Sequence, residues 1–398
     1  MDDPYPAYQQ LRDHSPVHFH PDLGLYFLSR YADVSALGRD QRRMIRGTSL
    51  SGLFEEYRGT GLQEILGDNL FGVDEPTHGR LKRLVTRTFV RSRVEALVPR
   101  IEEICGQLLD EAELAPSGGR FDLIGTLGYP LPFQVICELL GIDPGDREPF
   151  LDWTRKVLPI VDPLPDPGQV RAAVDGAGSF VGYFTALVGE RRRALRAGRD
   201  LPPGLVSDLV RAAEDEDGGR LSGPELISLC FTLLVAGFEN VTNLVSNAWR
   251  ALAENPEQAE ALCKEPELLH NLPDEVLRYY STTQYNTRQT TEDLTLHGVR
   301  IPAGATVVLL RGAANRDGRQ FPDPDRFDLR RTNSATHTGF GEGATLCTGA
   351  ALSRLEVRIA FRELLRRCGP GLRISRFEAG PTKLFWGPRV LEVEYGTP

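Results

Sequence analysis

The chain has 398 residues, of which 41% are hydrophobic and 25% are charged, and its formal net charge at pH 7 is −9. This balance is typical of a soluble globular protein with a large core and excludes a disordered chain. The negative charge argues against nucleic acid as a partner. No apolar stretch near the N-terminus is long enough for an anchor or a signal peptide, so we expect a cytoplasmic protein that spans no membrane.

Helices dominate the predicted elements, and short strands occur near both ends of the chain. A helix over residues 5–13 precedes two strands, at 17–20 and 25–29. Helices are then predicted at 77–89, 94–113, 131–140, 167–197, 205–214, 226–252 and 274–280. Residues 158–166, rich in Pro and Asp, are predicted to form a mobile connection. Strands return at 284–289, 294–296, 306–310, 372–374 and 390–394.

A glycine-rich loop, residues 340–349, delivers Cys347 to the start of a predicted helix. Unpaired N–H groups and the positive end of the helix dipole favour a thiolate there, which suits the sulfur to bind iron. Gly341, Gly343 and Gly349 remove side chains where the backbone would pass close to a flat cofactor. The loop alone leaves a plainer alternative open, in which Cys347 is one more buried thiol and the glycines only make turns.

The loop resembles the haem-thiolate signature of the cytochromes P450, because Phe340, Gly341, Gly343, Cys347 and Gly349 fall where that signature has them. The resemblance implies haem b, iron protoporphyrin IX, with Cys347 as the iron ligand. It also implies the P450 fold, mainly α with small β-sheets. Related motifs extend over essentially the whole chain and must meet at one cofactor, so we expect a single domain over residues 1–398. The remaining cysteines show no metal-ligand spacing and are expected to be reduced thiols.

Glu275 and Arg278 resemble the ExxR element of the family's K helix, and the i, i+3 spacing places both charges on one helical face. The segment around residues 313–328 resembles the stretch that follows in the family. The resemblance implies that Arg326 joins Glu275 and Arg278 in a triad. We expect this triad to be structural and to lock the core behind the haem.

The predicted helix at 226–252 contains Ala236, Gly237, Phe238, Glu239 and Asn240, which resemble the AGxET segment of the family's I helix. The small residues 236 and 237 would let the helix approach the haem, and Glu239 and Asn240 are the candidate catalytic residues. The family usually has Thr where this chain has Asn240, and an amide relays protons poorly. Three explanations for Asn240 stay open: the substrate supplies its own hydroxyl or amide to the proton relay, ordered water carries the protons with Glu239, or the reaction does not need the usual oxygen activation. A tolerated substitution with modest uncoupling is the remaining possibility.

Candidate donors for the haem propionates occur in three places. The resemblance assigns His78 and Lys82 to this role, and their i, i+4 spacing puts both on one helical face. Arg288 matches the arginine that follows the K helix. Thr345 stands where the family has His or Arg, so a hydroxyl donor remains but the charge is absent. His337 is a candidate for partial compensation.

The resemblance also implies a substrate pocket. Its candidate residues are Leu233, Phe238, Thr283, Gln284 and Tyr285. The segment 281–287 is unusually polar for a strand that faces haem, and polar groups in a pocket imply polar partners in the ligand. We therefore favour a polar or aromatic natural product, such as an amino-acid-derived scaffold, over a fatty acid or terpene.

No fused electron-transfer segment is recognisable, so we expect electrons from a ferredoxin and its ferredoxin reductase. Arg80, Arg83 and Arg87 form one basic series that could steer an acidic partner, and Arg354 and Arg358 begin a second. An ordinary solvated helical face is equally compatible with these charges.

The sequence thus predicts a P450 monooxygenase, an oxidoreductase that uses O2 and two electrons to hydroxylate a natural-product scaffold in secondary metabolism, such as antibiotic biosynthesis. Oxidative aromatic coupling or nitration with nitric oxide is an alternative reaction. A non-catalytic P450-like domain that recruits partners is a second alternative, supported by Asn240 and Thr345. Retention of Cys347 with Glu275, Arg278 and Arg326 argues against it.

Overall fold

The computed structural model describes residues 3–46, 57, 59–66, 69–115, 117–143, 145, 147–162, 165–214 and 221–396. The chain folds into two compact units, each assembled from segments that are distant in the sequence. The first unit comprises Met1–Ile45, Val94–Leu131 and Asn240–Pro398, and the second comprises Arg46–Arg93 and Pro132–Glu239. The single domain expected over residues 1–398 stays a prediction.

Helices account for most of the described chain. Those of the first unit are Tyr5–His14, Tyr31–Arg39, Val98–Glu111, Pro256–Lys264, Leu272–Tyr279, Arg311–Ala314 and Ala350–Cys368. Those of the second unit are Gly61–Leu66, Thr77–Thr86, Arg147–Val157, Pro167–Arg196 and Leu205–Glu214. Three further helices contribute residues to both units: Arg91–Ala96, Pro130–Leu140 and Gly223–Glu254. We call Gly223–Glu254 the long helix and Ala350–Cys368 the cysteine helix.

The strands that the structure describes all belong to the first unit. They are β1 Val17–His20, β2 Leu25–Leu28, β3 Met44–Ile45, β4 Gly119–Asp122, β5 Asn286–Thr290, β6 Leu294–Leu296, β7 Val299–Ile301, β8 Thr306–Leu309, β9 Arg373–Ala379 and β10 Pro388–Tyr395. One sheet has the order β1-β2-β8-β5-β3, a second has β4-β10-β9, and β6 pairs with β7. Within the first sheet β2 and β8 run parallel, whereas β5 is antiparallel to β8.

Each unit has its own apolar core. In the first unit, Leu28, Val307 and Leu309 of the larger sheet pack with Val34 and Leu37 of the helix Tyr31–Arg39. In the second unit, aromatic rings pack edge to face or tilted, a preferred geometry for such rings. This aromatic cluster contains Phe133, Phe150, Trp153, Phe180, Tyr183, Phe184 and Phe231.

The helix Pro167–Arg196 begins where local chemistry dictates. The Asp166 carboxylate accepts hydrogen bonds from the backbone N–H groups of Gly168 (2.7 Å) and Gln169 (2.9 Å). The Gln169 side chain in turn accepts a hydrogen bond from the Asp166 N–H at 2.8 Å. This capping box satisfies N–H groups that no helical carbonyl reaches, and Pro167 fits the first turn because it lacks an N–H.

The long helix is apolar and long enough to span a membrane by length and composition. Of its most apolar window, 72% is buried inside the protein, as expected for the core helix of a soluble protein.

Several sequence predictions are wrong in detail, including the following three. The helix predicted at 94–113 is broken at Leu97, because Pro99 starts a new helix, Val98–Glu111. The segment predicted to be mobile at 158–166 begins with a 3-10 helix, Leu158–Val161, in which Leu158 and Ile160 are buried. The strand predicted from residue 284 starts at Asn286.

Candidate active site

The cysteine loop is closed by backbone hydrogen bonds. The N–H of Cys347 donates to the carbonyl of Phe340 at 2.8 Å, and the N–H of Gly341 donates to the carbonyl of Thr338 at 2.9 Å. Gly341 has a φ of +78°, and a Cβ there would lie 2.8 Å from the Thr345 carbonyl oxygen, so only glycine fits. Cys347 is exposed, three residues before the first residue of the cysteine helix.

The other cysteines differ from Cys347. Burial raises the pKa of Cys105, Cys230 and Cys368 to about 12, which keeps these thiols protonated and inert. Cys263 is exposed, but it lies near the end of the helix Pro256–Lys264, where the dipole disfavours an anion. Cys347 therefore combines exposure with a place just before a helix start.

A cluster of His337, Asp274 and Arg354 holds the segment that precedes the cysteine loop. His337 accepts a hydrogen bond from the Gly339 N–H at Nδ1 (2.9 Å), so its Nε2–H donates to the Asp274 carboxylate, also at 2.9 Å. Arg354 of the cysteine helix binds Asp274 and lies 4.4 Å above the ring centroid of Phe340. Burial opposes ionisation of Asp274, but the hydrogen bonds from His337 and Arg354 lower its pKa to about 2. Burial lowers the pKa of His337.

This cluster corrects two predictions. His337 cannot compensate for the missing propionate donor, because both ring nitrogens are engaged within the cluster. The charge of Arg354 is paired with Asp274, and Arg358 is bonded to the Arg354 carbonyl and to His270. The two arginines of the second basic series are therefore bonded to groups of this chain.

Thr345 also departs from its predicted role. Its hydroxyl donates to the carbonyl of Glu342 at 2.8 Å, which uses the hydrogen inside the loop. Glu342 itself was missed by sequence reasoning. Its carboxylate is buried, lies 3.4 Å from the Arg311 guanidinium, and has one oxygen with no hydrogen-bond partner among the described residues. Burial raises the pKa of Glu342. An acid between two glycines of the loop was the available signal.

Arg288, the predicted propionate donor after the K helix, lies in strand β5 and is buried. One of its guanidinium nitrogens donates to the carbonyl of Thr287 at 2.8 Å. The positive charges of Arg311 and Arg288 both act on the buried Glu342 carboxylate. The cysteine loop and β5 thus bring a thiol and a buried guanidinium into the same unit.

The structural triad is built with a different third member. Glu275 and Arg278 are fully buried and pair through two hydrogen bonds of 2.8 Å. The guanidinium that completes the triad is Arg331, whose Nε lies 3.3 Å from Glu275. The Arg326 side chain, 65% exposed, instead faces Asp328 at 3.8 Å. Arg326 contributes only its carbonyl, which accepts a hydrogen bond from Arg278 at 2.9 Å. The prediction for the Arg326 side chain was wrong.

The long helix carries one partly accessible face. Residues 226–235 and 241–249 are buried, whereas Ala236, Gly237, Glu239 and Asn240 between them are only half-buried. Their spacing of i, i+1, i+3 and i+4 puts them on one side of the helix. Gly237 has a further reason to be glycine, since a Cβ there would lie 2.5 Å from Ile136 Cγ1. Its lack of a side chain therefore serves helix packing.

The five predicted pocket residues lie in different surroundings. Phe238 is fully buried and packs edge-on against Phe133, and Leu233 is 6% exposed, so both are core residues. Gln284 is buried and donates to the carbonyl of Ser281 at 2.6 Å. Tyr285 packs against the core formed by Val308, Leu310 and Ala313. Thr283 alone of the five approaches the accessible face of the long helix, where its hydroxyl donates to the Asn240 side-chain oxygen at 3.4 Å.

In the second unit, His78 is buried at the start of the helix Thr77–Thr86, and its Nδ1 lies 3.2 Å from the Glu75 carboxylate. Burial lowers the pKa of His78, and the positive charge of Arg46 acts in the same direction. Lys82 lies one turn later on this helix and is half-buried. Arg80 is paired with Glu225, whereas Arg83 and Arg87 are exposed. The propionate roles of His78 and Lys82 stay predictions.

The residues present fit a haem. An exposed thiol just before a helix start suits iron, and Arg288 offers a cation to a carboxylate. These groups suit an iron porphyrin, because a thiolate binds the iron and a guanidinium balances the negative charge of a propionate.

Comparison with known proteins agrees with this chemistry. The family model Cytochrome P450 matches residues 28–370. The chain is 39% identical over 395 residues to the cytochrome P450 monooxygenase PikC of Streptomyces venezuelae, covering 97% of this chain and 88% of that protein. It is 36% identical to 6-deoxyerythronolide B hydroxylase of Saccharopolyspora erythraea, covering 91% of this chain and 88% of that protein.

Solved structures agree as well. The crystal structure of CalO2 superposes with a TM-score of 0.88 at 33% identity, covering 100% of this chain and 96% of that one. P450BioI in complex with an acyl carrier protein carrying hexadec-9Z-enoic acid gives a TM-score of 0.88 at 29% identity, covering 99% of this chain and 98% of that one. The predicted mainly α fold is confirmed. The chain belongs to the cytochrome P450 family, whose members bind haem through a cysteine thiolate and act as monooxygenases.

Proposed function

We propose that this P450 holds haem b through Cys347 and hydroxylates a natural-product scaffold in secondary metabolism. The observation that carries the proposal is the exposed Cys347 at the start of the cysteine helix, in a loop that only glycine at position 341 permits. When bound, the haem supplies the activation of dioxygen with two electrons. The protein's own part is to hold the group, to exclude bulk water and to deliver protons.

The retained donors bind the propionates in this proposal. Arg288, His78 and Lys82 supply two permanent cations and one imidazole. Thr345 adds nothing, because its hydroxyl hydrogen is bonded to Glu342. Burial lowers the pKa of His78 and favours the neutral imidazole, which still has one N–H to donate.

The substrate we propose is a large, mainly apolar scaffold with a few hydroxyl or carbonyl groups. The preference for a polar or aromatic ligand depended on the segment 281–287, but Gln284 is buried and Tyr285 packs against an apolar cluster. Two relatives, 6-deoxyerythronolide B hydroxylase and mycinamicin IV hydroxylase/epoxidase, favour a macrolide-type ring as the substrate. The amino-acid-derived scaffold remains the alternative substrate class.

The test is turnover of a substrate panel under ¹⁸O2 with a surrogate ferredoxin and reductase. The proposal expects a product heavier by one oxygen-18 atom from a macrolactone. Products coupled through two rings, or nitrated products that appear only with nitric oxide, would replace hydroxylation by the alternative chemistry. If every substrate fails to shift the haem spectrum on binding while Cys347 ligates the iron, the partner-recruiting alternative takes its place.

We also propose a cytoplasmic location. The electron donor we propose is a ferredoxin that docks at Arg83 and Arg87, at the end of the helix Thr77–Thr86. Both arginines are exposed, unlike Arg80, which is paired with Glu225. Charge reversal of both should weaken ferredoxin binding, most of all at low salt. The matched control reverses Arg193 and Arg199, which are also exposed. Equal loss in both variants would mean a general charge effect and no docking site.

A further inference from the structure

The residue at position 240 has a hydroxyl neighbour from another part of the chain. Thr283 follows the helix Leu272–Tyr279 and precedes strand β5. Its Oγ1 donates to Asn240 Oδ1 at 3.4 Å, and both side chains belong to half-buried residues. The hydroxyl that the long helix lacks at position 240 is thus present beside it.

The backbone on both sides of Thr283 is clamped. The Trp386 N–H donates to the Thr282 carbonyl at 2.7 Å, and the Gln284 N–H donates to the Leu384 carbonyl at 2.9 Å. Thr283 itself forms a β-bridge with Phe385. A residue held by its neighbours in this way presents its hydroxyl at a defined place, which a relay of protons requires.

Other hydroxyls nearby are less suited. The Ser281 hydroxyl donates to the Leu277 carbonyl at 2.9 Å and accepts a bond from Asn315. Thr282 is 3% exposed and Thr242 is 5% exposed. Thr283 combines partial accessibility with a direct contact to Asn240.

We propose that Thr283 supplies, from outside the long helix, the proton-relaying hydroxyl that its helix residue Asn240 cannot provide, with Asn240 as the positioning residue. The inference rests on the proposed haem site. At 3.4 Å the bond to Asn240 is long, so the Thr283 hydroxyl can turn its hydrogen from the amide oxygen to a water. The hydroxyl oxygen then accepts a proton from a second water while its own proton passes to the first, so the side chain ends unchanged. The Asn240 amide holds the hydroxyl through its oxygen and keeps its NH₂ group for a water.

The experiment compares Thr283→Val, which removes the hydroxyl at nearly constant shape, with Thr283→Ser, which keeps it. Hydrogen peroxide formed per electron pair is measured in the haem-bound enzyme. The infrared C–O stretch of the carbon monoxide adduct provides a second readout that needs no turnover. The proposal expects Thr283→Val to raise the peroxide share severalfold and to shift the stretch, and Thr283→Ser to stay near the parent.

Two further variants make the test specific. Asn240→Thr combined with Thr283→Val should restore the low peroxide share, because the helix then carries its own hydroxyl. Thr295→Val, the same change on an exposed residue of β6, should alter nothing. A peroxide share in Thr283→Val equal to the parent, or no rescue by Asn240→Thr, would overturn the proposal. A parent whose carbon monoxide adduct lacks the thiolate-type spectrum would instead overturn the haem site itself.

Discussion

Arg331 should matter more to stability than Arg326, although both lie in the segment that completes the triad. The Arg331 side chain is 8% exposed and donates to the carbonyls of Pro322 (2.6 Å), Asp323 (3.0 Å) and Arg326 (3.1 Å). Its Nε lies 3.3 Å from Glu275. Arg331→Met removes all four contacts. The Pro322 carbonyl and the Glu275 carboxylate then each lose a donor, whereas the Asp323 carbonyl keeps the Arg326 N–H and the Arg326 carbonyl keeps Arg278.

The magnitude follows from what remains. Glu275 keeps its bonds from Arg278 and from the N–H of Asp328 at 2.9 Å, so its buried charge is less stabilised but still has donors. Loss of a partner in a buried ion pair costs about 3–5 kcal/mol, and the retained donors place Arg331→Met toward about 2–4 kcal/mol. Arg326→Met keeps the backbone carbonyl that the network uses and alters a side chain that is 65% exposed, so it should cost at most about 0.5 kcal/mol.

Urea denaturation of the two haem-bound variants, followed by far-ultraviolet circular dichroism, separates these expectations. The midpoint should fall clearly for Arg331→Met and hardly at all for Arg326→Met, with similar slopes. If Arg326→Met lowers the midpoint as much as Arg331→Met, the assignment of the third triad member is refuted.

Two other predictions follow from packing and titration. Gly237→Val places a side chain where Cβ alone is 2.5 Å from Ile136, so overpacking should lower the free energy of unfolding by about 1–3 kcal/mol. In a thermal unfolding series, the added change Ile136→Ala should partly relieve this overpacking. Equal melting temperatures for the parent and Gly237→Val would contradict the prediction. Because burial lowers the pKa of His337, the unfolded chain binds a proton below pH of about 6.5 that the native state resists, and stability should fall as pH drops through that value. The His337→Gln protein should show a shallower fall over the same range, and identical slopes would exclude His337 as a contributor.

The sequence predicted best what depends on local spacing. Glu275 and Arg278 are one helical turn apart, so their pairing follows from the helix itself. The helix Leu205–Glu214 occurs with the predicted bounds, because its apolar residues keep one helical face. Cys347 likewise lies just before a helix start, as the spacing of the following residues predicted.

Contacts between distant segments could not be read in the same way. Arg326 and Arg331 lie five residues apart in an irregular segment, and only the path of the backbone decides which guanidinium reaches Glu275. Strand β5, which contains Arg288, starts two residues later than predicted, so alternation gave no valid orientation for Gln284 and Tyr285. The contact of Thr283 with Asn240 joins residues 43 positions apart and has no local signal.

The most direct test of Cys347 as the iron ligand is the carbon monoxide difference spectrum of the dithionite-reduced protein, measured for the parent, Cys347→Ser and Cys263→Ser. Cys263 is the matched control, since it is the other exposed cysteine of the described chain. Ligation by Cys347 predicts the red-shifted Soret band of thiolate-ligated haem in the parent and in Cys263→Ser, and its loss in Cys347→Ser. The same band persisting in Cys347→Ser, or a band typical of a neutral ligand in the parent, would contradict it.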